Sequence, residues 1–396
     1  MWNGVNKITW YGVAFSSFRM LVGAVSAIYL MEHGVSLLEI GLLKTLQAIL
    51  IGLLDIPTAY LADRYSRKAA VVLSVLFGAA WLALTGVASS IEYFFIAEMF
   101  NAFSIALTSG AFISYLIDVA RSENKNIEIS LVIGRYQKYQ FFAMGIAALV
   151  GSFVSSPDSP LVWYLAATLS LLLLIFASWF LPKDRGIDAF EKDRSLRKDV
   201  SQFIEVIQRG SSDLKLSATA LILLMIFYQV LIQFWQPFSQ LSFGDMTNSS
   251  VAYGVLFVFI LWGQSLAGHI AAQSKSIARS FQFAIAISLI CIAITALGLI
   301  VEPRLICVAI VLMFASNRLL TTLLHSVFHD ALPAKLRATL DSTLSSAVRL
   351  ILFVVMPTFG YLLEKAGGTA IVIFYGVTTS CLVIAWSKTI HTATKQ

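Results

Sequence analysis

The sequence predicts an all-α membrane protein with twelve transmembrane helices, and three observations carry that reading. Of its 396 residues, 58% are hydrophobic and only 13% are charged, with a mean hydropathy of +0.81; a water-soluble fold would lack the polar surface to cover itself. Twelve apolar runs of roughly the twenty residues a bilayer span needs lie at about 9–31, 37–62, 69–88, 92–118, 134–155, 161–181, 215–238, 251–272, 277–300, 305–326, 341–363 and 368–390. The Lys and Arg residues between these runs fall almost entirely on one side.

The first run begins near Ile8 and continues to Met31. It is too long for the apolar region of a secretory signal peptide and is expected to remain as a span. An even number of spans puts both termini on one face. Lys7, Arg64, Arg67, Lys68, Arg121, Lys125, the cluster from Lys183 to Lys215, Lys275, Arg279, Lys335, Arg337, Lys388 and Lys395 share that face, whereas the opposite connections hold only Arg304 and Lys365. The excess marks the cytoplasmic side of a cell (inner) membrane. Miscounting one span would scramble the asymmetry.

The most charged stretch, Pro182 to Asp213, separates the sixth and seventh runs. It predicts a six-helix bundle over 1–182, a cytoplasmic linker over 183–214 and a second bundle over 215–396. Within the linker Leu196, Val200, Phe203, Ile204 and Ile207 recur at helical spacing before Gly210, which suits an amphipathic helix lying on the membrane surface as well as a solvated tether.

Several chemistries are excluded. The +6 net charge sits in short clusters without the aromatic interleaving of a nucleic-acid groove, so no nucleic-acid partner is expected. Cys291, Cys307 and Cys381 lie inside apolar runs with no metal-type spacing, and His325 with His329 lacks a third ligand. No phosphate-binding loop, nucleophile elbow or H-E-x-x-H motif occurs. Neither enzymatic activity, a cofactor nor a bound metal is expected.

Between the second and third runs the chain reads Ala59-Tyr60-Leu61-Ala62-Asp63-Arg64-Tyr65-Ser66-Arg67-Lys68. This resembles the G-x-L-A-D-R-x-G-R-K pattern of the major facilitator superfamily at six of its eight specified positions. Ala59 and Ser66 replace the two glycines, implying a less sharp turn. A worn copy, Gly268-His269-Ile270-Ala271-Ala272-Gln273-Ser274-Lys275, stands at the equivalent place in the second half, as pseudo-symmetric halves require. The resemblance implies two six-helix bundles and a cytoplasmic gate held by Asp63, facing the N-terminal end of the eleventh span after Pro333 to Thr339; Arg64, Arg67 and Asp118 are further gating candidates. Gly145 and Gly151 in the fifth run stand without the G-x-x-x-G-P-x-x-G-G pattern of drug/proton antiporters, and the fourth run lacks the Arg often used there for proton coupling.

Ionisable residues inside a span are costly and normally turn inward and pair. One-face stripes are formed by Ser16, Arg19, Gly23 and Ser26; by Lys44, Gln47, Asp55 and Thr58; and by Glu98, Asn101, Thr108, Tyr115 and Asp118. The seventh run supplies Gln229, Gln233, Gln236 and Gln240, the tenth Asn317, Arg318, Thr322 and His325, and the eleventh Ser342, Ser345 and Arg349. Depth along the helices matches Arg19 with Asp55 and Lys44 with Glu98, as gating or coupling pairs or as neutralisation within one half. Arg318 and Arg349 have no acidic residue at matching depth in their own half, so a carboxylate from the first half or an anionic substrate completes them. Tyr228, Phe234 and Trp235 suit ligand stacking or an interfacial aromatic belt.

These features predict a monomeric secondary transporter for a polar-amphipathic, partly anionic small molecule such as a drug, siderophore or peptide antibiotic. Its substrate-binding set is Arg19, Asn101, Gln229, Gln233, Trp235, Arg318 and Arg349, and proton coupling falls to Asp55 and Glu98. Export is the expected direction. A nutrient or metabolite importer of the same fold, and a transport-inactive sensor or assembly partner, are the competing readings.

Overall fold

A computed structural model describes residues 3–124, 127–156, 159–182, 212–243, 250–273, 276–330 and 337–393. The linker residues 183–211, the connection at 244–249, Lys125, Lys275, and 331–336 with Pro333 and Lys335 lie outside the described residues, as does Lys395.

Among the described residues the elements are all helices. The first group is α1 (Gly4–Met20), α2 (Ser26–Glu32), α3 (Leu37–Arg64), α4 (Arg67–Val87), α5 (Ile91–Glu123), α6 (Ile129–Val154) and α7 (Leu161–Phe180). The second is α8 (Ser212–Phe243), α9 (Ser250–Ala272), α10 (Ile277–Ile300), α11 (Leu305–Asp330), α12 (Arg337–Ala366) and α13 (Gly368–Ala393). Eight of them contain stretches long and apolar enough to cross a membrane, and α7 and α13 contain shorter apolar stretches, Leu161–Ala177 and Gly368–Val383. α6 falls short because Arg135, Gln137, Lys138 and Gln140 crowd its first half. Lipid permits this architecture because a helix satisfies its own backbone hydrogen bonds.

The first predicted span is not continuous. α1 stops at Met20 and α2 starts at Ser26, with tight-turn hydrogen bonds from the Gly23 amide to the Met20 carbonyl (2.9 Å) and from the Val25 amide to the Val22 carbonyl (3.1 Å) between them. The break sits against α6. A Cβ on Gly151 would overlap the Leu21 carbonyl oxygen, so the glycine is needed there for close backbone approach. This accounts for a glycine that belongs to no recognised motif.

The connection from α3 to α4 is Tyr65 and Ser66 alone. Ser66 has φ −174°, an extended conformation open to any residue, and its hydroxyl accepts from the Ala69 amide at 2.9 Å to cap α4. Serine in place of the motif's glycine therefore adds a cap that glycine lacks. Replacing Ser66 by alanine is expected to cost about 1 kcal/mol and by glycine only a few tenths, readable as the order of thermal unfolding midpoints in detergent. Ser36 and Glu39 form a reciprocal capping box at the start of α3.

The chain divides into two compact units, Met1–Glu191 with Asn248–Val258, and Lys192–Thr247 with Phe259–Gln396. In the first, α5 packs against α3 and α4, α4 against α7, and α1 against α6. Its core gathers Ile8, Tyr11, Phe15, Val75, Phe112, Tyr115 and Leu116. In the second, α8 packs against α11, α12 and α13, around Leu221, Phe281, Leu319, Phe328 and Leu382.

Candidate functional site

The first unit holds a continuous polar chain in its interior. Lys44 and Gln47, one turn apart on α3, reach the two carboxylate oxygens of Glu98 on α5 at 2.7 and 2.8 Å. Asn101, one turn along α5, donates its amide to Glu98 at 3.0 Å and accepts from Arg19 of α1 at 2.5 Å. Arg19 also donates to the Ser104 hydroxyl (3.1 Å), which donates to the Ser74 carbonyl of α4 (2.7 Å). One hydrogen-bonded chain thus links four helices. The Arg19 guanidinium lies 4.6 Å from the Trp81 ring centroid and 5.5 Å from that of Phe15, a cation–π cage. Glu98 is only 5% exposed and Asn101 3%.

Taken as ionised, the network carries two cations, Lys44 and Arg19, against one carboxylate. Removing charges from water costs several kcal/mol each, recovered only with good geometry and full hydrogen bonding. Glu98 has both: each oxygen accepts from a side chain, and the amide of Asn101 relays its charge to Arg19.

Depth matching anticipated Lys44 with Glu98, and the two meet at 2.7 Å. The expected pairing of Arg19 with Asp55 is corrected. Arg19 points toward α4 and α5, while the Asp55 carboxylate accepts from the Ser109 hydroxyl at 2.9 Å. Equal depth fixes height, and partner choice depends on rotation about the helix axis.

At the α3–α4 turn Arg67 bridges two carboxylates, Asp63 at 2.7 Å and Asp118 in a short contact, and donates to the Ser114 carbonyl at 3.3 Å. Asp63 is therefore engaged within its own unit, and of the residues 333–339 that lead into the eleventh span, which Asp63 was expected to face, 333–336 lie outside the described residues. Arg64 is exposed and donates to the Tyr60 hydroxyl of its own helix at 2.6 Å. Lys68 donates to the Leu181 carbonyl at 2.8 Å, and the Tyr115 hydroxyl donates to the Pro182 carbonyl, so both grip the end of α7.

In the second unit Arg318 is exposed, while its neighbour Asn317 is 2% exposed and donates to the Leu224 carbonyl of α8 at 3.0 Å. The two diverge because successive helical residues point about 100° apart. Tyr228 of α8 stacks edge-on against Phe314, 5.9 Å between centroids, within electrostatic reach of Arg318. Gln229, Gln233 and Gln240 are half-buried and Gln236 is buried. Arg349 is half-buried. The expectation that Trp235 stacks on a ligand is corrected: it is 1% exposed, an indole packed in the core, and Phe234 beside it rests on Phe359 at 5.4 Å.

Sequence reading missed one cluster. Trp10 of α1 stacks on Tyr139 of α6 (5.2 Å, 20° between planes), and the Arg135 guanidinium lies 5.7 Å from the same Tyr139 ring. Beside them the Gln140 amide donates to the Ser16 hydroxyl at 2.8 Å, with Tyr136 within electrostatic reach of both. The i, i+4 spacing of Arg135 and Tyr139 was the available signal.

The family model described as Major Facilitator Superfamily matches residues 10–346, from within α1 to within α12. The chain belongs to this superfamily. Solved structures show the same fold at low sequence identity. The nucleoside transporter NupG superposes with a TM-score of 0.78 at 15% identity, covering 98% of this chain and 99% of that one. A bacterial homolog of the human lysosomal transporter Spinster, inward-facing and occupied, gives 0.71 at 16%, covering 96% and 94%. A D-xylose–proton symporter gives 0.69 at 13%, covering 96% and 95%. No curated protein matches the chain in sequence.

Superfamily membership gives the motif at 59–68 a place: it forms the α3–α4 turn and contributes Asp63 and Arg67 to the three-residue charge cluster completed by Asp118.

Proposed function

We propose that this superfamily member is a proton-coupled secondary transporter that exports a small anionic or partly anionic solute across the cell membrane, acting as a monomer with both termini in the cytoplasm. Two bundles, 1–182 and 215–396, joined by the linker at 183–214, would rock about the site. The observation that carries the substrate charge is Arg318. It is exposed some 20 Å along α11 from Leu305 at 1.5 Å per residue, within the apolar stretch Leu305–Ser326. Among the described residues no carboxylate forms an ion pair with it. A cation at mid-span turned to lipid would cost about 2.5–3.5 kcal/mol or more, so the favourable arrangement is a water-filled passage in which an anion meets the guanidinium. Gln229 and Gln233, half-buried on α8, supply neutral donors and acceptors for the rest of the solute, and Arg349 is a second candidate cation.

Coupling rests on Glu98, with Asp55 as a second proton carrier. A proton on Glu98 removes the only negative charge that, among the described residues, is bonded to Lys44, and leaves Lys44 and Arg19 on either side of the Glu98–Asn101 link. Repulsion between them favours separating α3 and α1 from α5, which is how a proton would bias one state of the cycle. The charge cluster Asp63–Arg67–Asp118 serves as the cytoplasmic latch.

The test uses full-length protein in liposomes loaded with a pH-reporting dye, given a panel of small carboxylates and their neutral amides. Carboxylate-dependent pH change at least about tenfold above that of Arg318→Gln is expected, equivalent to one charge-assisted contact. Equal transport of amides, or full activity in Arg318→Gln, overturns the anion assignment. Solute movement with no pH change overturns the coupling. Inside-out vesicles with an acid lumen accumulate the solute if export is right, whereas accumulation only in right-side-out vesicles with an acid exterior marks an importer.

A further inference from the structure

We propose that Trp10, Arg135 and Tyr139 form a subsite in the first unit that selects solutes carrying a flat aromatic ring beside their negative charge. This deepens the anionic-solute reading above and rests on it. Three observations point there. Trp10 and Tyr139 come from different helices yet stack nearly parallel, 5.2 Å apart at 20°, and the Trp10 indole still leaves 39% of its surface exposed. A core aromatic would be enclosed, as Trp163 and Trp235 are at 2% and 1%.

Arg135 packs against the same Tyr139 ring, 5.7 Å from its centroid, and is exposed. It lies on α6 about 9 Å from the start of the helix at 1.5 Å per residue, a depth matched by Trp10 on α1. Lys138, one turn further, is exposed as well. Both cations stand at the start of the predicted span 134–155, where long basic side chains reach the water interface, which gives the cluster an aqueous aspect.

The Gln140 amide donates to the Ser16 hydroxyl at 2.8 Å. This bond ties α1 to α6, the two helices that carry the rings, so the rings are held in place without a ligand. The chemistry offered is a π face flanked by a guanidinium. Stacking on an indole rewards a planar conjugated ring, and the adjacent guanidinium rewards both the π face of that ring and a carboxylate on it. A saturated ring of equal size and charge keeps only the contact with its carboxylate.

The experiment measures binding of three probes to the purified full-length protein in detergent: 2-naphthoate, its fully saturated decahydro counterpart and neutral 2-naphthamide. 2-Naphthoate is expected to bind about tenfold more tightly than the saturated acid, the size of one aromatic contact plus one cation–π contact. Trp10→Leu and Arg135→Gln should each shrink that ratio to about threefold, and Trp10→Phe should keep most of it. Arg135 is exposed, so Arg135→Gln leaves the packing intact should Trp10→Leu fail to fold. Arg318→Gln should weaken both acids alike and leave the ratio unchanged. Equal binding of the two acids, no binding of 2-naphthoate, or a ratio that survives Arg135→Gln overturns the subsite. If Arg318→Gln leaves both acids unaffected while Arg135→Gln collapses the ratio, the subsite stands and the role of Arg318 falls.

Discussion

Glu98→Gln is expected to destabilise the protein by about 3–5 kcal/mol, the range for breaking a buried ion pair from one side, and to abolish coupled transport. The side chains of Lys44 and Glu98 are only 16% and 7% exposed, so solvent does little to screen the loss. Glutamine keeps the shape of glutamate but removes the charge that answers Lys44, and it presents one acceptor oxygen where the carboxylate serves donors from Lys44, Gln47 and Asn101. Arg19 suffers indirectly through Asn101. The pair Lys44→Met with Glu98→Gln should recover a large part of the lost stability, because neither partner is then left as an orphan charge. A double-mutant cycle of thermal or denaturant unfolding in detergent reads this as a coupling energy. Additive effects of the two substitutions would show that the pair contributes nothing beyond its separate side chains.

Gly151→Ala should be nearly as damaging, for a purely steric reason. The added methyl would overlap the Leu21 carbonyl, a backbone atom that cannot rotate away. Either α6 retreats or the break between α1 and α2 is displaced, at a cost of about 3 kcal/mol or more, the upper end for overpacking. Gly134 of the same helix has nothing within 4 Å of its Cβ position. Gly134→Ala is therefore neutral or stabilising by about 0.5–1 kcal/mol. Unfolding midpoints of the two variants should separate in opposite directions from the parent protein, and similar midpoints would mean that the α6 contact with the break is loose. Because Arg19 lies two residues before Leu21, displacement of the break should also loosen Arg19 from Asn101 and depress transport.

Residues differ in how readable they were. Lys44 and Glu98 were paired from depth alone, because α3 and α5 are unbroken helices on which residue number converts directly to height. The same conversion misassigned Arg19, whose side chain is rotated toward Trp81 and Asn101. Aromatic residues near a span end suit ligand stacking or an interfacial belt, and Trp235 does neither here, because its face of α8 turns into the core. Ser66 looked like a weakened motif position and is instead an N-cap, a gain visible only once the start of α4 is located. The Trp10, Arg135 and Tyr139 cluster escaped notice because its parts lie on α1 and α6, far apart in sequence.

By itself the sequence determined that lipid surrounds this chain, how its apolar runs alternate, which side is basic, which superfamily pattern it carries and that Arg318 is a cation in mid-span. Those properties sum over some twenty residues or follow from residue identity, so they survive ignorance of how each helix is turned. Only the tertiary structure decided that Arg19 belongs to Asn101 rather than Asp55, that Gly151 touches the break after α1, and that Trp10 stacks on Tyr139. Each depends on helix azimuth, where one residue of error swings a side chain by about 100°, and on backbone contacts that no apolar pattern encodes.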